Sequence, residues 1–454
     1  MSASTHLWRY PFASELTTAG RLRSLRLATC RVDRKESFFF AGTLSQPQLT
    51  ARLLQTLMTV VQSRFHIPAA MLRGMLAQSD PIVTANDQIL RFEGFSSCCS
   101  AYTRIDLLPD AFEGHVRGRG TTNVDFNQPM LAALARIRRN DHVQLAVGTD
   151  QFVLQQSEQR TIEKQVRLPP RWMKGLLEVQ AVQSRMEQRL HVTGVQALRF
   201  LQSLPRMKMN RRTVFVVQSG QTLRLTQVKS SGAVQVGGLE RLRIMEPMVR
   251  DATAMDSFTD PVTGASGWVL HLPQSRFHLV LSPEVWRGFS GEGQGLNALA
   301  TSDRRLPGKV RAKLKYEAVI DCDRLAESLA VSRDQIATAV SILASRGLAG
   351  FDLLAQSYFH RELPFDVSQV EKQQPRLIAA RRLLAEQKVR IQTISERAAE
   401  LRIETSGGEH RVTLTSQDDE SIQSTCTCPW YSRHQMSRGP CKHILAAQIY
   451  LEHQ

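Results

Sequence analysis

The chain has 454 residues, of which 42% are hydrophobic and 22% charged, a balance that excludes a disordered chain and allows a sizeable core. No stretch reaches the roughly 18 uninterrupted apolar residues that a membrane-spanning helix needs. The 58 Lys and Arg residues outnumber the 42 Asp and Glu residues and give a formal net charge of +16, which favours a polyanionic partner such as nucleic acid.

The N-terminus and the cysteines bear on cellular location. The first residues lack the apolar core of a secretory signal, and Glu15 and Asp33 do not suit the Arg- and Ser-rich pattern of a mitochondrial transit peptide. Seven cysteines are an odd number for a disulfide framework, which favours a reducing compartment. We expect a cytoplasmic protein that does not bind membranes.

Residues 1–140 are predicted to form an α+β domain. Apolar residues recur every three or four positions from Gln46 to Arg64, which predicts a helix with one buried face. Short apolar runs in Ile82–Phe95 predict strands, and an amphipathic helix is expected over Met130–Arg139.

Two motifs in this region could carry chemistry. Adjacent Cys98 and Cys99 rarely form a disulfide within a strand, so we interpret them as structural cysteines. Gly118–Asp125 lacks the frames of phosphate-binding loops, and we interpret it as a structured turn. No spacing indicates a catalytic triad, a carboxylate pair or a small-molecule substrate. We therefore expect no enzyme activity; an enzyme within Val143–Leu281 is an alternative supported only by the size of that region.

Residues 141–303 are predicted to form a β-rich α+β domain. Helical patterns occur at Pro170–Glu187 and Gly194–Leu204, and the Gly- and Ser-rich Phe289–Gly295 indicates a boundary. The predicted strands are Val143–Val147, Phe152–Gln155, Val214–Val217, Leu223–Val228, Trp268–His271 and His278–Leu281.

Residues 304–365 have the order of a winged helix: helix, tight turn, helix, hairpin. Ser332 followed by Gln335 is a capping box at the start of the second helix. If this segment reads DNA, that helix should present Arg333, Gln335, Thr338 and Ser341 to the groove, with Arg346 and the basic run Lys309–Lys315 as further contacts. Because Arg333 is the single cation on the groove-facing positions, a winged helix used for packing or for partner binding is the alternative.

The last two predicted segments are a helical linker over 366–399 and a zinc module over 400–454. Charged residues in Val367–Ala399 predict a helix that is broken at Pro375. Leu401–Glu404 and Arg411–Thr415 alternate in polarity around two glycines, which predicts a hairpin, and Ile444–Leu451 continues as a helix.

Two pairs of metal-binding residues lie within this zinc module. Cys426 and Cys428 form one pair, and Cys441 and His443 form the other. Three thiolates and one imidazole give Zn²⁺ the four ligands of a closed tetrahedral site, so we predict one structural zinc. About 50 residues bury too little apolar area to be stable alone, and the metal would supply part of the folding free energy. His434 lies between the pairs without a partner, and we interpret it as a surface residue.

This C-x-C…C-x-H pattern, with Pro429-Trp430 after the second cysteine and the run Gly439–His443, resembles the SWIM zinc finger. The resemblance implies binding to DNA or to protein partners and does not imply catalysis. The stretch Phe92–Asp125 and the run Tyr358–Phe365 also resemble a bacterial group of long SWIM zinc finger proteins. That group resembles components of systems built around a MoxR-type ATPase and a von Willebrand A protein, which implies an adaptor role.

The sequence thus predicts a multidomain α+β protein with a β-rich central region, a winged-helix-like segment and a small C-terminal ββα zinc finger. The first functional hypothesis is a non-enzymatic zinc protein that binds nucleic acid through its basic surface, with DNA as the expected ligand. The alternative is a protein-interaction adaptor in a bacterial MoxR-type ATPase and von Willebrand A system.

Overall fold

The structure is a computed structural model, and it describes residues 15–19, 22–27, 40–66, 81–86, 88–113, 118–124, 126, 128–147, 170–206, 213–300, 305–363, 371–372, 374–417 and 422–453. Helices and mostly antiparallel sheets are mixed along the chain, which confirms the predicted α+β class. Within the described part of the chain, no helix combines the length and the apolarity that crossing a bilayer requires.

The helices in this part of the chain are α1 (Pro47–Gln62), α2 (Gln128–Leu134), α3 (Pro170–Gln183), α4 (Gly194–Ser203), α5 (Leu296–Ala300), α6 (Arg305–Lys313), α7 (Cys322–Leu329), α8 (Arg333–Ser345), α9 (Pro375–Ala385), α10 (Pro429–His434) and α11 (Lys442–Leu451). The predicted helix over Gln46–Arg64 is confirmed as α1, which begins at Pro47, a residue suited to the first turn of a helix. The helix predicted over Met130–Arg139 is shorter and ends at Leu134.

The strands are β1 (Glu15–Ala19), β2 (Leu22–Leu27), β3 (Phe40–Leu44), β4 (Ile82–Ala85), β5 (Leu90–Phe95), β6 (Ala101–Leu107), β7 (Phe112–Glu113), β8 (Gly120–Asn123), β9 (His142–Val147), β10 (Glu187–Thr193), β11 (Thr213–Ser219), β12 (Thr222–Thr226), β13 (Val234–Gly237), β14 (Ala254–Thr259), β15 (Ser266–Leu272), β16 (Ser275–Leu281), β17 (Ala349–Asp352), β18 (Ser357–His360), β19 (Val389–Ile394), β20 (Ala398–Thr405), β21 (Gly408–Ser416) and β22 (Ile422–Cys426). The interpretation of Gly118–Asp125 as a turn was wrong, because β8 pairs with β4 there. The strand predicted at Phe152–Gln155 lies outside the described residues.

An eight-stranded antiparallel sheet forms the centre of the molecule, in the order β10-β14-β15-β16-β6-β5-β4-β8. Strands β5 and β6 are buried on both faces, and α1 packs against them. Strand β16 pairs with β6 along its whole length, so the sheet joins strands from both sides of residue 140. The domain boundary predicted at that residue therefore separates residues that pair within one sheet.

Residues 305–360 contain α6, α7, α8 and the hairpin β17–β18, in the order predicted from the sequence. The capping box at the start of α8 is present: the Ser332 hydroxyl accepts the Gln335 N–H at 3.2 Å, and Oε1 of Gln335 accepts the Ser332 N–H at 3.0 Å. Buried Ile336, Val340 and Leu343 of α8 form a separate apolar cluster with residues of α6 and α7.

Buried ion pairs attach the hairpin β17–β18 to the eight-stranded sheet. Asp352 accepts hydrogen bonds from Arg91 at 2.8 Å and from Arg104 at 2.9 Å, and Arg104 also pairs with Asp106 at 2.9 Å. These four side chains are at most 2% exposed. Buried charges persist only when they are paired and hydrogen-bonded, so this contact holds the hairpin in one position on the sheet.

The prediction of a helix over Val367–Ala399 was wrong beyond residue 385. Among the described residues of this range, Pro375–Ala385 is α9, and Val389–Ile394 is a strand that pairs with β20. Buried Val389 alternates with exposed Arg390, which is the period of a strand in an amphipathic sheet. Arg390 is the one charged residue of that strand, and other exposed charges that suggested a solvated helix, such as Arg382 and Glu386, lie in or just after α9.

Strands β19–β20–β21–β22 form a four-stranded sheet that packs with α9 and α11. The predicted hairpin is confirmed, because β20 pairs with β21 from Ala398 to Thr405. Leu401, Ile403, Val412 and Ile444 are fully buried in an apolar cluster that is distinct from that of the eight-stranded sheet. We call residues 374–453 the finger module.

Candidate functional site

Three cysteines and one histidine meet at one end of the finger module. Cys426 ends β22, Cys428 caps the N-terminus of α10, Cys441 caps the N-terminus of α11, and His443 lies in the first turn of α11. The ligand atoms of all four residues lie within 4.8 Å of one another. In the described residues, this is the one group of three or more His, Cys, Asp or Glu that could hold a metal ion.

The distances within this cluster suit tetrahedral zinc. With Zn–S of about 2.3 Å and Zn–N of about 2.0 Å, ligand atoms at tetrahedral angles are roughly 3.5 to 3.8 Å apart. Nδ1 of His443 lies 3.7 Å from Sγ of Cys426 and 3.9 Å from Sγ of Cys441. Nδ1 is therefore the imidazole atom placed to bind the metal.

Helix N-termini hold two of the sulfur atoms in place. Sγ of Cys428 accepts the Tyr431 N–H, and Sγ of Cys441 accepts the Ile444 N–H, both at 3.4 Å. Backbone N–H donors and the positive end of a helix dipole favour the thiolate, which is the form that binds zinc. Cys428 and Cys441 therefore each cap the N-terminus of a helix and also supply a ligand for the metal.

The electrostatics of the cluster also favour a thiolate. A hydrogen bond between Cys426 and Cys441 lowers the pKa of Cys441 to about 4 and raises that of Cys426. All four ligands are at most 7% exposed, and protein atoms fill all four coordination positions. A closed site of this kind folds a module and offers no position for a substrate.

The sequence of residues 410–452 matches the SWIM zinc finger family. The chain carries a SWIM zinc finger. This match and the Cys₃His cluster together confirm one structural zinc, and they indicate an interaction with nucleic acid or with protein.

No curated protein matches the sequence. Similar solved structures include Proliferating Cellular Nuclear Antigen from Entamoeba histolytica, at 10% identity and a TM-score of 0.35 over 54% of this chain and 99% of that one. The PCNA2–PCNA3 complex from Sulfolobus tokodaii is similar at 10% identity and a TM-score of 0.34, again over 54% of this chain and 99% of that one. At these scores the likeness supports no conclusion about fold or function.

The SWIM finger is clamped against the loop Phe289–Gly295, which the sequence predicted to be a domain boundary. Arg376 donates hydrogen bonds to the carbonyl oxygens of Arg438, Pro440 and Glu292, at 2.7, 2.9 and 2.9 Å. Arg287 pairs with Glu292 and also donates to the Ser437 carbonyl at 2.6 Å. The loop between the two ligand pairs is therefore fixed to the rest of the protein by arginine contacts to backbone oxygens. The Gly-rich composition of residues 291–295 was its one sequence signal.

The predicted nucleic-acid residues do not form one exposed face. Arg333, Gln335 and Thr338 are exposed, but Arg333 pairs with Asp323 at 3.1 Å, and the Gln335 side chain caps α8. Ser341 and Arg346 are half-buried, and the Ser341 side chain hydrogen-bonds to Tyr358.

An apolar cleft of about 790 Å³ lies between α8 and the SWIM finger. Thr338 and Ser341 of α8 line one side of it, and Ile422 and Ile449 of the finger line the other. Two of the α8 residues predicted to read DNA, Thr338 and Ser341, therefore line this cleft, whereas Arg333 and Gln335 do not.

The basic run predicted as an additional contact is exposed. Residues 305–315 contain five Lys or Arg and no Asp or Glu. Lys309, Arg311, Lys313 and Lys315 are exposed, and Arg311 pairs with Glu362 at 3.1 Å. We call residues 305–315 the basic strip.

Proposed function

We propose that the protein is a non-enzymatic zinc-binding protein that binds nucleic acid through the basic strip. The observation that carries the proposal is the strip itself: a helix whose exposed side bears cations and no carboxylate. Phosphate contacts from such surfaces supply most of the affinity of proteins for nucleic acid, and the net charge of +16 acts in the same direction.

The elements around the strip support a winged-helix arrangement. Helices α6, α7 and α8 precede the hairpin β17–β18 in the order that this arrangement requires. Because Arg333 is paired and Ser341 is turned towards Tyr358, α8 offers few groups for base edges. We therefore propose phosphate-led binding, with DNA as the first ligand to test and little preference for base sequence.

The test is fluorescence anisotropy with a labelled DNA duplex and a labelled single strand across a salt series. The variant Lys309→Gln/Lys313→Gln should bind more weakly and should lower the slope of log K against log salt by about 0.9 for each lost phosphate contact. The matched control, Arg224→Gln/Lys229→Gln, removes the same charge from exposed positions elsewhere. Equal losses in the two variants, or binding that does not respond to salt, would overturn the proposal.

The apolar cleft favours a second candidate, a protein-interaction adaptor. Its walls come from α5, α8 and the SWIM finger, and Ile422 in its lining is 60% exposed. The resemblance to long bacterial SWIM proteins of MoxR-type ATPase and von Willebrand A systems agrees with such a role. An apolar segment of a partner protein is the proposed occupant.

A pull-down with tagged protein separates the two candidates. Thr338→Arg would fill the cleft without touching the zinc site, and Cys441→Ser would unfold the finger. Loss of the same partner in both variants, with retention in Arg224→Gln/Lys229→Gln, supports the adaptor. An unchanged partner set in both counts against it.

A further inference from the structure

A second cavity, of about 500 Å³, lies between the SWIM finger and the central part of the protein. Its walls come from five separate stretches of the chain. They include His66, Cys98, Arg171, Trp286, His434 and Arg438. The volume is within the range of small-ligand sites, and its walls are fixed by the arginine contacts of the clamped finger loop.

The charge of this cavity is positive. Arg287 is neutralised by a bidentate pair with Glu292, and Arg438 lies 3.9 Å from the same carboxylate. Arg171 lies in the first turn of α3, and its buried Nε has no hydrogen-bond partner in the described structure. Of the described residues that line the cavity, Glu284 is the one acid.

The neighbouring histidine responds to that positive charge. Burial lowers the pKa of His434, and the charges of Arg438, Arg287 and Arg433 lower it further. Cations thus outweigh acids at the finger side of the cavity. An anion placed there would relieve this repulsion.

An aromatic side chain stands beside these cations. Trp286 is 43% exposed, although large aromatic residues are usually well buried. Aromatic rings next to cationic groups form the stacking platforms on which proteins hold nucleobases. The cavity therefore combines groups for a phosphate with a surface for a base.

We propose that this cavity binds a nucleotide phosphate, with the phosphate at Arg171 and Arg438 and the base against Trp286. The phosphate could belong to a free nucleotide or to the 5′-phosphorylated end of a strand, since both present the same chemistry. The site is separate from the basic strip, so the proposal does not depend on nucleic-acid binding through α6.

Cys98 supplies a reporter inside the cavity. Burial raises the pKa of the Cys98 thiol, but hydrogen bonds with Ser100 and Ser96 outweigh this effect, so the pKa is lowered overall. The hydroxyl oxygens of Ser100 and Ser96 lie 3.2 and 3.4 Å from Sγ of Cys98. Burial raises the pKa of the adjacent Cys99 thiol to about 12. Iodoacetamide should therefore modify Cys98 before Cys99, and a bound ligand should slow that reaction.

The experiment measures the alkylation rate of Cys98 by peptide mass spectrometry, together with calorimetric titration of the full chain. The ligands are inorganic phosphate, adenosine, adenosine 5′-monophosphate, and a short oligonucleotide with and without a 5′-phosphate. Adenosine should not bind. The monophosphate or the 5′-phosphorylated strand should bind and slow alkylation several-fold, and the better of the two identifies the source of the phosphate.

Variants assign the roles of the two side chains. Arg171→Gln should weaken nucleotide binding at least tenfold, and Arg171→Lys should restore part of it. Trp286→Leu should weaken nucleotide binding while leaving the weaker binding of inorganic phosphate unchanged. Lys309→Gln/Lys313→Gln should have no effect here, which separates this site from the basic strip. Equal binding of adenosine and its monophosphate, or an Arg171→Gln affinity equal to that of Arg224→Gln/Lys229→Gln, would overturn the proposal.

Discussion

Cys441 has two roles, as the N-cap of α11 and as a zinc ligand. A serine hydroxyl can cap a helix, so Cys441→Ser retains the first role and removes the second. We expect its zinc content to fall from one per chain to near zero, measured by metal analysis of the purified protein. Cys322→Ser, outside the cluster, should retain one zinc. Metal retained in Cys441→Ser would refute the ligand assignment.

The carboxylate of Asp352 forms ion pairs with two buried arginines, Arg91 and Arg104. Asp352→Ala leaves both guanidinium groups without this partner, and removal of one member of a buried ion pair costs roughly 3–5 kcal/mol. Asp323→Ala breaks the exposed pair with Arg333 and should cost less than about 1 kcal/mol. Urea unfolding of both variants measures the difference. Equal costs would show that the buried pairs do not stabilise the fold.

The same carboxylate predicts a pH dependence. Burial raises the pKa of Asp352, but the charges of Arg104 and Arg91 outweigh this effect and hold that pKa at about 2, below the unfolded value of about 3.9. A lowered native pKa gives stability that is present above the unfolded pKa and is lost as the pH falls towards 2. The stability difference between wild type and Asp352→Asn should therefore shrink between pH 4 and pH 2. A constant difference would contradict this assignment.

The buried arginines also show why sequence reasoning missed this network. Charged residues are rarely buried, so Arg91 and Arg104 in strands predict an exposed face. Their partner Asp352 lies in a hairpin far along the chain. The zinc ligands were predictable because all four lie within eighteen residues of one another and their spacing is set by local geometry.

At the scale of elements, Gly439 determines how the finger loop sits on the protein. Its φ is +73°, and a Cβ there would lie 2.1 Å from the carbonyl oxygen of Gly293. Gly439→Ala should therefore displace the loop from its clamp and increase hydrogen exchange in residues 436–440, without loss of zinc.

Gly220→Ala is the matched control for this substitution. Gly220 also has a positive φ of +59°, but a Cβ there meets no atom within 4 Å. The loss of stability in Gly220→Ala therefore measures only the cost of a positive φ for alanine, about 1 kcal/mol. If Gly439→Ala costs no more than Gly220→Ala, the close packing of the loop does not contribute to stability.

Elements with a local signal were predictable, and elements defined by pairing were not. Helix α8 carries its own capping box, and α1 has an apolar face at helical spacing, so both were found near their true ends. Strand β19 was predicted as helix because a six-residue strand with little alternation of buried and exposed residues is recognised mainly by its pairing with β20. The order of strands in the central sheet has no counterpart in the sequence pattern, since β16 and β6 pair across a long separation.

At the scale of the whole molecule, the finger module and α5 share a buried apolar cluster that is separate from that of the eight-stranded sheet. Among the described residues, the arginine hydrogen bonds that join the two parts are directed at backbone oxygens: Arg287 donates to Ser437, Arg376 to Glu292 and Arg438 to Gly291. A structural zinc contributes an apparent 10–16 kcal/mol, about as much as the whole stability of a typical domain. Removing the metal should therefore unfold the finger module and leave the central sheet folded.

Hydrogen exchange with and without a strong chelator measures this directly. Protection should be lost in β20–β22 and α11, while the central strands β14–β16 keep theirs. Adding excess zinc should restore the lost protection, which controls for irreversible damage. A parallel loss in β14–β16 would mean that zinc supports the whole protein as one cooperative unit. The cavity proposed to hold a nucleotide phosphate should lose that ligand with the metal, because the finger supplies Arg438 and His434 to its wall.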